Sequence, residues 1–88
     1  MAGYKPVIKA SAAREIEDIG TLADRRRVVE RIGRLADDPR PPGCVKLAGG
    51  DRYRVRQGRY RIVYEIRDVE LVVMIVRVGD RRDVYRGS

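Results

Sequence analysis

The sequence contains no histidine, tryptophan or phenylalanine, and it has only one cysteine, Cys44. A single thiol cannot form an internal disulfide, which fits a reducing compartment. Without histidine or a cysteine pair, the usual ligand sets for zinc and other transition metals are missing, and we expect no metal site and no cofactor. Histidine is also the side chain that most often transfers protons in enzymes, so acid–base chemistry here has to use other groups.

Long hydrophobic runs are missing as well. The longest covers residues 71–76, far short of the roughly 20 residues that a membrane span needs. Residues 1–9 lack the apolar core of a signal peptide. A chain of 88 residues is long enough for one modest core and too short for two. The sequence therefore predicts a single soluble, cytoplasmic domain over residues 1–88.

Acidic residues are absent from residues 52–64, which contain five arginines. The arginines alternate with apolar residues at the start of this segment, as in a β-strand whose successive side chains point to opposite faces. Arg52, Arg54 and Arg56 would then line one face, with Tyr53 and Val55 on the other. The formal net charge of +7 and the pI near 10.2 favour an acidic partner. Nucleic acid is the anion that we expect on this face.

The order of the predicted elements is typical of an α+β fold, with an N-terminal strand and an αα-hairpin packed on a twisted antiparallel β-sheet. Ser11 is a suitable N-cap for the first helix, and Thr21 or Asp24 for the second. The last strand is apolar on both faces, which predicts a central position. Since the helices cover one face of the sheet, the arginines would lie on the open one. We expect a strand over 4–10, helices over 11–20 and 21–37, a proline-rich loop over 39–43, and strands over 45–47, 52–57, 60–67 and 70–78.

Several motifs of the second half resemble those of the RelE/ParE superfamily of bacterial and archaeal type II toxins. The most specific is the closing segment Gly79-Asp80-Arg81-Arg82-Asp83-Val84-Tyr85, and others are Tyr53-Arg54-Val55-Arg56 and Tyr60-Arg61-Ile62-Val63-Tyr64-Glu65-Ile66. The order of strand, αα-hairpin and sheet extends the resemblance over essentially the whole chain. It implies a microbial-ribonuclease-like toxin fold, inactive while a cognate antitoxin is bound.

The two branches of this superfamily have different targets. The RelE branch enters the ribosomal A site and cleaves mRNA, whereas the ParE branch poisons DNA gyrase and generally lacks the full set of basic and tyrosine residues. This chain keeps that set, so the resemblance implies a ribosome-dependent endoribonuclease. It implies catalytic roles for Arg56, Arg61, Arg81 and Tyr85, and RNA binding by Arg52, Arg54, Arg59, Arg82 and Arg86.

Tyr85 is the best candidate base for such a reaction, because the chain has no histidine. A phenol with its ordinary pKa of about 10 is rarely ionised at neutral pH, but nearby arginines would lower that pKa. Some RelE members carry lysines where this chain has Arg54 and Arg56. Since arginine effectively cannot lose its proton, we assign these two residues to binding and charge stabilisation rather than acid catalysis.

Other interpretations of the same residues remain open at this point. Arg54 and Arg56 could be solvated charges that discourage edge-to-edge aggregation of the sheet, and Tyr85 could simply pack on the sheet. The alternative function is that of a ParE-like toxin that inhibits DNA gyrase, and a third possibility is a decayed toxin that only binds its antitoxin. Expected partners are an acidic, RelB-like antitoxin, the ribosome and mRNA.

Overall fold

In the computed structural model, which describes residues 3–80, two helices pack on one face of a five-stranded sheet. The strand order across the sheet is β1-β5-β4-β3-β2. The predicted fold class is thereby confirmed. The elements are β1 (Lys5–Ile8), α1 (Ala10–Glu17), α2 (Leu22–Asp37), β2 (Val45–Lys46), β3 (Arg52–Gln57), β4 (Tyr60–Arg67) and β5 (Val72–Asp80).

The start of α2 agrees with the sequence prediction, and the start of α1 does not. Thr21 caps α2, because its side-chain oxygen accepts a hydrogen bond from the Asp24 backbone N–H at 3.2 Å. The predicted N-cap of α1, Ser11, lies inside the helix instead. Lys9 holds the cap position: its N–H donates to the Ile75 carbonyl and its carbonyl accepts from Ala13 N–H. Lys9, the residue directly after β1, therefore both bonds to β5 and begins the first turn of α1.

Strand β5 lies between β1 and β4, in the central position that its apolar sequence predicted. It pairs with β1 in parallel and with β4 antiparallel, so the sheet is mixed rather than wholly antiparallel. It begins at Val72, two residues later than expected, because the turn before it ends at Leu71 with a left-handed φ of 54°. Val63 and Tyr64 of β4 pair with Arg77 and Ile75 of β5, so Val76 has no partner on β4. This extra residue makes a β-bulge in β5.

The hydrophobic core lies between the helices and one face of the sheet. Both helices contribute apolar stripes, and β4 contributes every second side chain from Ile62 to Ile66, with Tyr64 fully buried between them. The Tyr64 hydroxyl donates a 2.6 Å hydrogen bond to the Pro39 carbonyl and so connects the sheet to the proline-rich loop. The residues of this core are Ala12, Ile16, Ile19, Val28, Ile32, Leu35, Val55, Ile62, Tyr64, Ile66, Val73, Ile75 and Val78.

A polar cluster joins the N-terminus, the loop after α2 and the turn between β4 and β5. Both terminal nitrogens of Arg40 donate to the Asp68 carboxylate, at 3.0 and 3.3 Å, and the Tyr4 hydroxyl donates to the same group at 2.7 Å. The Arg40 guanidinium also lies over the Tyr53 ring, 5.4 Å from its centroid. Hydrogen bonds from Arg40 and Tyr4 hold the pKa of Asp68 below its usual value.

This cluster predicts a specific dependence of stability on pH. A carboxyl group with a depressed pKa stabilises the fold above its unfolded pKa of about 4 and loses that contribution as the pH falls through its folded pKa. We expect Asp68→Asn to lower the melting temperature at pH 7 and to lower it by a smaller amount at pH 3. Thermal unfolding at both pH values checks this, with the exposed Asp37→Asn as control. An equal deficit at both pH values would contradict the assignment.

Candidate nucleic-acid interface

The face of the sheet that points away from the helices carries the arginines, as the alternation predicted. Val55 belongs to the core beneath the helices, so its neighbours Arg54 and Arg56 point to the opposite side. On β4, the core positions Ile62 and Tyr64 likewise place Arg61 on that opposite side. We call this side, formed by β3, β4 and β5, the open face.

The strand register brings two of these arginines directly opposite each other. Arg56 of β3 pairs with Arg61 of β4, and Arg61 pairs on its other side with Gly79 of β5. Arg54 pairs with Val63, so the three arginines lie at neighbouring positions of the strand register. Like charges directly opposite one another destabilise a sheet, and an anion between them offsets that cost. Arg54, Arg56 and Arg61 therefore form a cationic surface suited to a phosphate, and we call them the arginine triad.

The members of the triad differ in how far they are exposed. Arg61 is only 8% exposed, whereas Arg54 is half-buried and Arg56 is exposed. A buried guanidinium is held in place by its surroundings and can present its fork of N–H donors in a fixed orientation. Gly79, which pairs with Arg61 on β5, contributes no side chain to the open face. The geometry fits an anion that is oriented by Arg61 and reached from solvent by Arg56.

The β-bulge adds Arg77 to the open face, which simple alternation along β5 did not predict. Val73 and Ile75 belong to the core, so continued alternation would have placed residue 77 beneath the helices. The extra residue Val76 reverses this order, and Arg77 pairs with Val63 on the open face. One of its terminal nitrogens lies 3.7 Å from the carboxylate of Glu15 on α1, so the end of this side chain reaches back toward the helix layer. Sequence reasoning missed Arg77 because a bulge leaves no mark on the hydrophobic pattern.

Two of the predicted RNA-binding residues have carboxylate partners in the structure. Arg52 lies on the open face opposite Glu65, and its Nε donates to that carboxylate at 3.1 Å. Arg59 lies in the turn after β3, where its side chain makes hydrogen bonds of 2.7 and 2.9 Å to Asp80. Asp80 pairs with Tyr60 on the helix side of the sheet. The structure therefore does not bring Arg59 together with the arginine triad.

Four predicted site residues, Arg81, Arg82, Tyr85 and Arg86, lie outside the described residues. Their roles stay predictions from the sequence. Within residues 3–80, no group of three or more histidine, cysteine, aspartate or glutamate side chains is placed to hold a metal ion. No helix of that part of the chain is long and apolar enough to cross a membrane.

A small α+β domain with a cationic open sheet face is the class of protein that the fold and the site define. Residues 7–85 match the family model described as the ParE toxin of the type II toxin–antitoxin system parDE. The chain belongs to this family of toxins, as the resemblance to the RelE/ParE superfamily predicted. No curated protein sequence matches the chain.

Solved structures of RelE toxins share the fold. A chain of the RelBE2 toxin–antitoxin complex from Mycobacterium tuberculosis is 27% identical, with a TM-score of 0.79 over 90% of this chain and 99% of that one. An arginine-to-alanine double mutant of E. coli RelE in the free state is also 27% identical, with a TM-score of 0.76 over 96% of this chain and 90% of that one. A chain of the archaeal RelE–RelB complex from Pyrococcus horikoshii, at 24% identity, has a TM-score of 0.77 over 92% of this chain and 98% of that one.

Proposed function

We propose that residues 1–88 act as a ribosome-dependent endoribonuclease that cleaves mRNA in the A site. The observation that carries this proposal is the arginine triad, in which Arg56 lies directly opposite the buried Arg61. A toxin that only binds another protein has no need for two arginines that face each other across neighbouring strands. A phosphodiester that becomes more negative during cleavage would be stabilised there.

The reaction that fits these residues needs no metal. The 2′-oxygen of a ribose forms a bond to the adjacent phosphorus, and the bond from phosphorus to the 5′-oxygen breaks, which leaves a cyclic phosphate and a free 5′-hydroxyl. Tyr85 would take the proton of the 2′-hydroxyl, and Arg61 and Arg56 would bind the phosphate oxygens by charge-assisted hydrogen bonds. In this scheme Arg81 would donate the proton that the 5′-oxygen receives, since the family resemblance suggests this position as the donor.

The ribosome would supply what this small chain lacks. The chain offers few groups for reading bases, and arginine is a poor proton donor because its pKa lies far above neutrality. The ribosome would hold mRNA in a fixed geometry beside the arginine triad. Part of the entropy cost of reaching the transition state is then met when the mRNA binds, which lowers the activation barrier. Dependence on the ribosome in the cytoplasm is therefore part of the proposal, and free RNA should be a poor substrate.

The proposed regulator is an acidic antitoxin. Several of the structurally similar toxins are described in complexes with RelB. For this chain, an antitoxin segment rich in carboxylates would complement the arginine triad and compete with RNA for it. Such a segment would order as it binds, which is common for regulators of cationic surfaces.

Substituting the exposed member of the triad tests the proposed function with little risk to the fold. We expect Arg56→Ala to lower the rate of A-site cleavage about 10- to 100-fold, because it removes a donor to the phosphate. The measurement is primer extension on a defined mRNA in stalled ribosomes with an empty A site. The wild-type chain should produce a new 3′ end inside the A-site codon.

Arg26→Ala is the matched control, because Arg26 is an exposed arginine on α2 in the helix layer. It removes the same charge and should leave the cleavage rate unchanged. Equal losses in the two variants would mean that net charge, and not the arginine triad, determines activity. Intact mRNA with folded, ribosome-bound wild-type protein would exclude the nuclease.

The second candidate function is that of a gyrase-directed toxin, and the description of the matching family model favours it. Such a toxin would hold gyrase in a DNA-cleaved state. It would produce gyrase–DNA adducts and an SOS response and leave mRNA intact. In that case mRNA should stay intact with the wild-type chain and with both variants.

A further inference from the structure

A second pair of arginines lies on the open face, with an acid of the same chain between them. Glu65 is on the same side of β4 as Arg61, four residues further along the strand. Its Oε2 accepts a hydrogen bond from Arg52 Nε at 3.1 Å, and its Oε1 accepts one from an Arg67 terminal nitrogen at 3.3 Å. Each carboxylate oxygen thus binds a different guanidinium.

This arrangement resembles the way in which arginines hold a phosphodiester. A phosphodiester also offers two charged oxygens, and arginine binds carboxylate and phosphate with the same fork of donors. About 13 Å of strand separates Arg61 from Glu65, at roughly 3.3 Å per residue. A few nucleotides of a single RNA strand would cover that distance. An RNA strand with one phosphate on the arginine triad would therefore reach Arg52 and Arg67 with another of its phosphates.

We propose that Arg52 and Arg67 form a second phosphate-binding subsite, which Glu65 occupies from within the chain. Glu65 then limits how far an RNA strand is held along the open face. This inference rests on the proposed function, since it assumes that the arginine triad binds RNA. It assigns Glu65 a role in restricting RNA binding, and it gives Arg52 a contact with RNA that becomes available only when Glu65 is removed.

The charge and exposure of the three residues support this role. Burial alone would raise the pKa of Glu65, but hydrogen bonds from Arg52 and Arg67 outweigh it and lower that pKa, so the carboxylate is ionised at neutral pH. The Glu65 side chain is 22% exposed, whereas those of Arg52 and Arg67 are 53% and 44% exposed. Solvent and ligands can reach both guanidinium groups, and the other terminal nitrogen of Arg67 lies 3.9 Å from the exposed Glu70 carboxylate. A fixed negative charge between them repels a phosphate at short range.

Glu65→Gln keeps the shape of the side chain and removes its charge. We expect this variant to bind a single-stranded RNA, protected from cleavage by 2′-O-methyl groups, about five-fold more tightly at low salt than the wild-type chain does. The plot of log affinity against log salt should be steeper by about 0.7 to 1.4, the effect of one or two added phosphate contacts on a single strand. Fluorescence anisotropy over a series of salt concentrations measures both quantities.

Two controls separate a subsite from a general gain in positive charge. Glu17→Gln removes one negative charge from the exposed surface of α1 and should change neither the affinity at low salt nor the slope by a comparable amount. Arg52→Gln should have little effect alone and should cancel most of the gain when combined with Glu65→Gln, as expected for coupled residues. Equal gains in Glu65→Gln and Glu17→Gln would overturn the inference.

The outcomes also separate this inference from the function on which it rests. If the wild-type chain binds RNA with clear salt dependence but Glu65→Gln behaves identically, the subsite is wrong and the nuclease proposal stands. If no variant binds RNA, and the wild-type chain fails to cleave mRNA on ribosomes, both are overturned. A Glu65→Gln gain that persists in the double variant would likewise exclude Arg52 from the subsite.

Discussion

Arg61→Ala is expected to reduce A-site cleavage of mRNA by at least about 100-fold, the cost of removing one donor from a preorganised charge-stabilising site. The expected effect is larger than that of Arg56→Ala because Arg61 is buried and held in position. Its place between Arg56 and Gly79 makes it the centre of the open face. Induction of the variant in cells should cause no growth arrest, and primer extension on stalled ribosomes should show only the full-length product.

The fold should survive this substitution, because the open face does not belong to the main core. Removing Arg61 also relieves its repulsion with Arg56 across the strands. Thermal unfolding followed by circular dichroism checks that the variant is folded. Arg61→Lys provides a second test, since lysine keeps the charge but lacks the fork of donors, and we expect it to recover only a small part of the rate. Normal toxicity in a folded Arg61→Ala chain would count heavily against the nuclease.

Ile75→Ala is expected to have the largest effect on stability, with a loss of about 2–5 kcal/mol in the free energy of unfolding. Ile75 is fully buried in the central strand, where it pairs with Ile8 on one side and Tyr64 on the other. Its truncation leaves a cavity where β1, β4 and β5 meet. Domains of this size are stable by only about 5–15 kcal/mol in total. The variant should therefore unfold at a much lower concentration of urea.

The matched control for Ile75→Ala is Val45→Ala, because Val45 is 41% exposed on the short strand β2. Surface substitutions of this kind usually change stability by less than about 0.5 kcal/mol. Urea titration of both variants gives the comparison. Similar midpoints for the two variants would mean that the packing around β5 is not what stabilises this fold.

The strands that carry the arginine triad could be predicted from the sequence almost to the residue. Strands β3 and β4 have the expected bounds, 52–57 and 60–67, because arginine or polar side chains alternate with apolar ones and a glycine separates the two runs. Gly58 adopts a left-handed φ of 62°, which is the conformation that the turn requires. The pairing of Arg56 with Arg61 then follows from the short hairpin, since loop length fixes the register.

Contacts between distant parts of the chain could not be predicted in this way. The bulge at Val76 that places Arg77 on the open face depends on how β5 fits against β4, and no local signal marks it. The ion pairs of Arg52 and Arg59 join residues that are 13 and 21 positions apart. The number of arginines in the sequence therefore overestimates the positive charge of the surface, because carboxylates of the same chain pair with some of them. Ser11 shows the same limit, because the strand before it, and not its hydroxyl, determines where α1 begins.

The mapping of mRNA 3′ ends in cells, shortly after induction of the wild-type chain, tests the central claim most directly. The proposed nuclease predicts new ends inside codons of translated reading frames, absent from untranslated RNA and absent when Arg61→Ala is induced. Growth arrest with intact mRNA, accompanied by gyrase–DNA adducts and an SOS response, would contradict the claim and identify a gyrase-directed toxin instead.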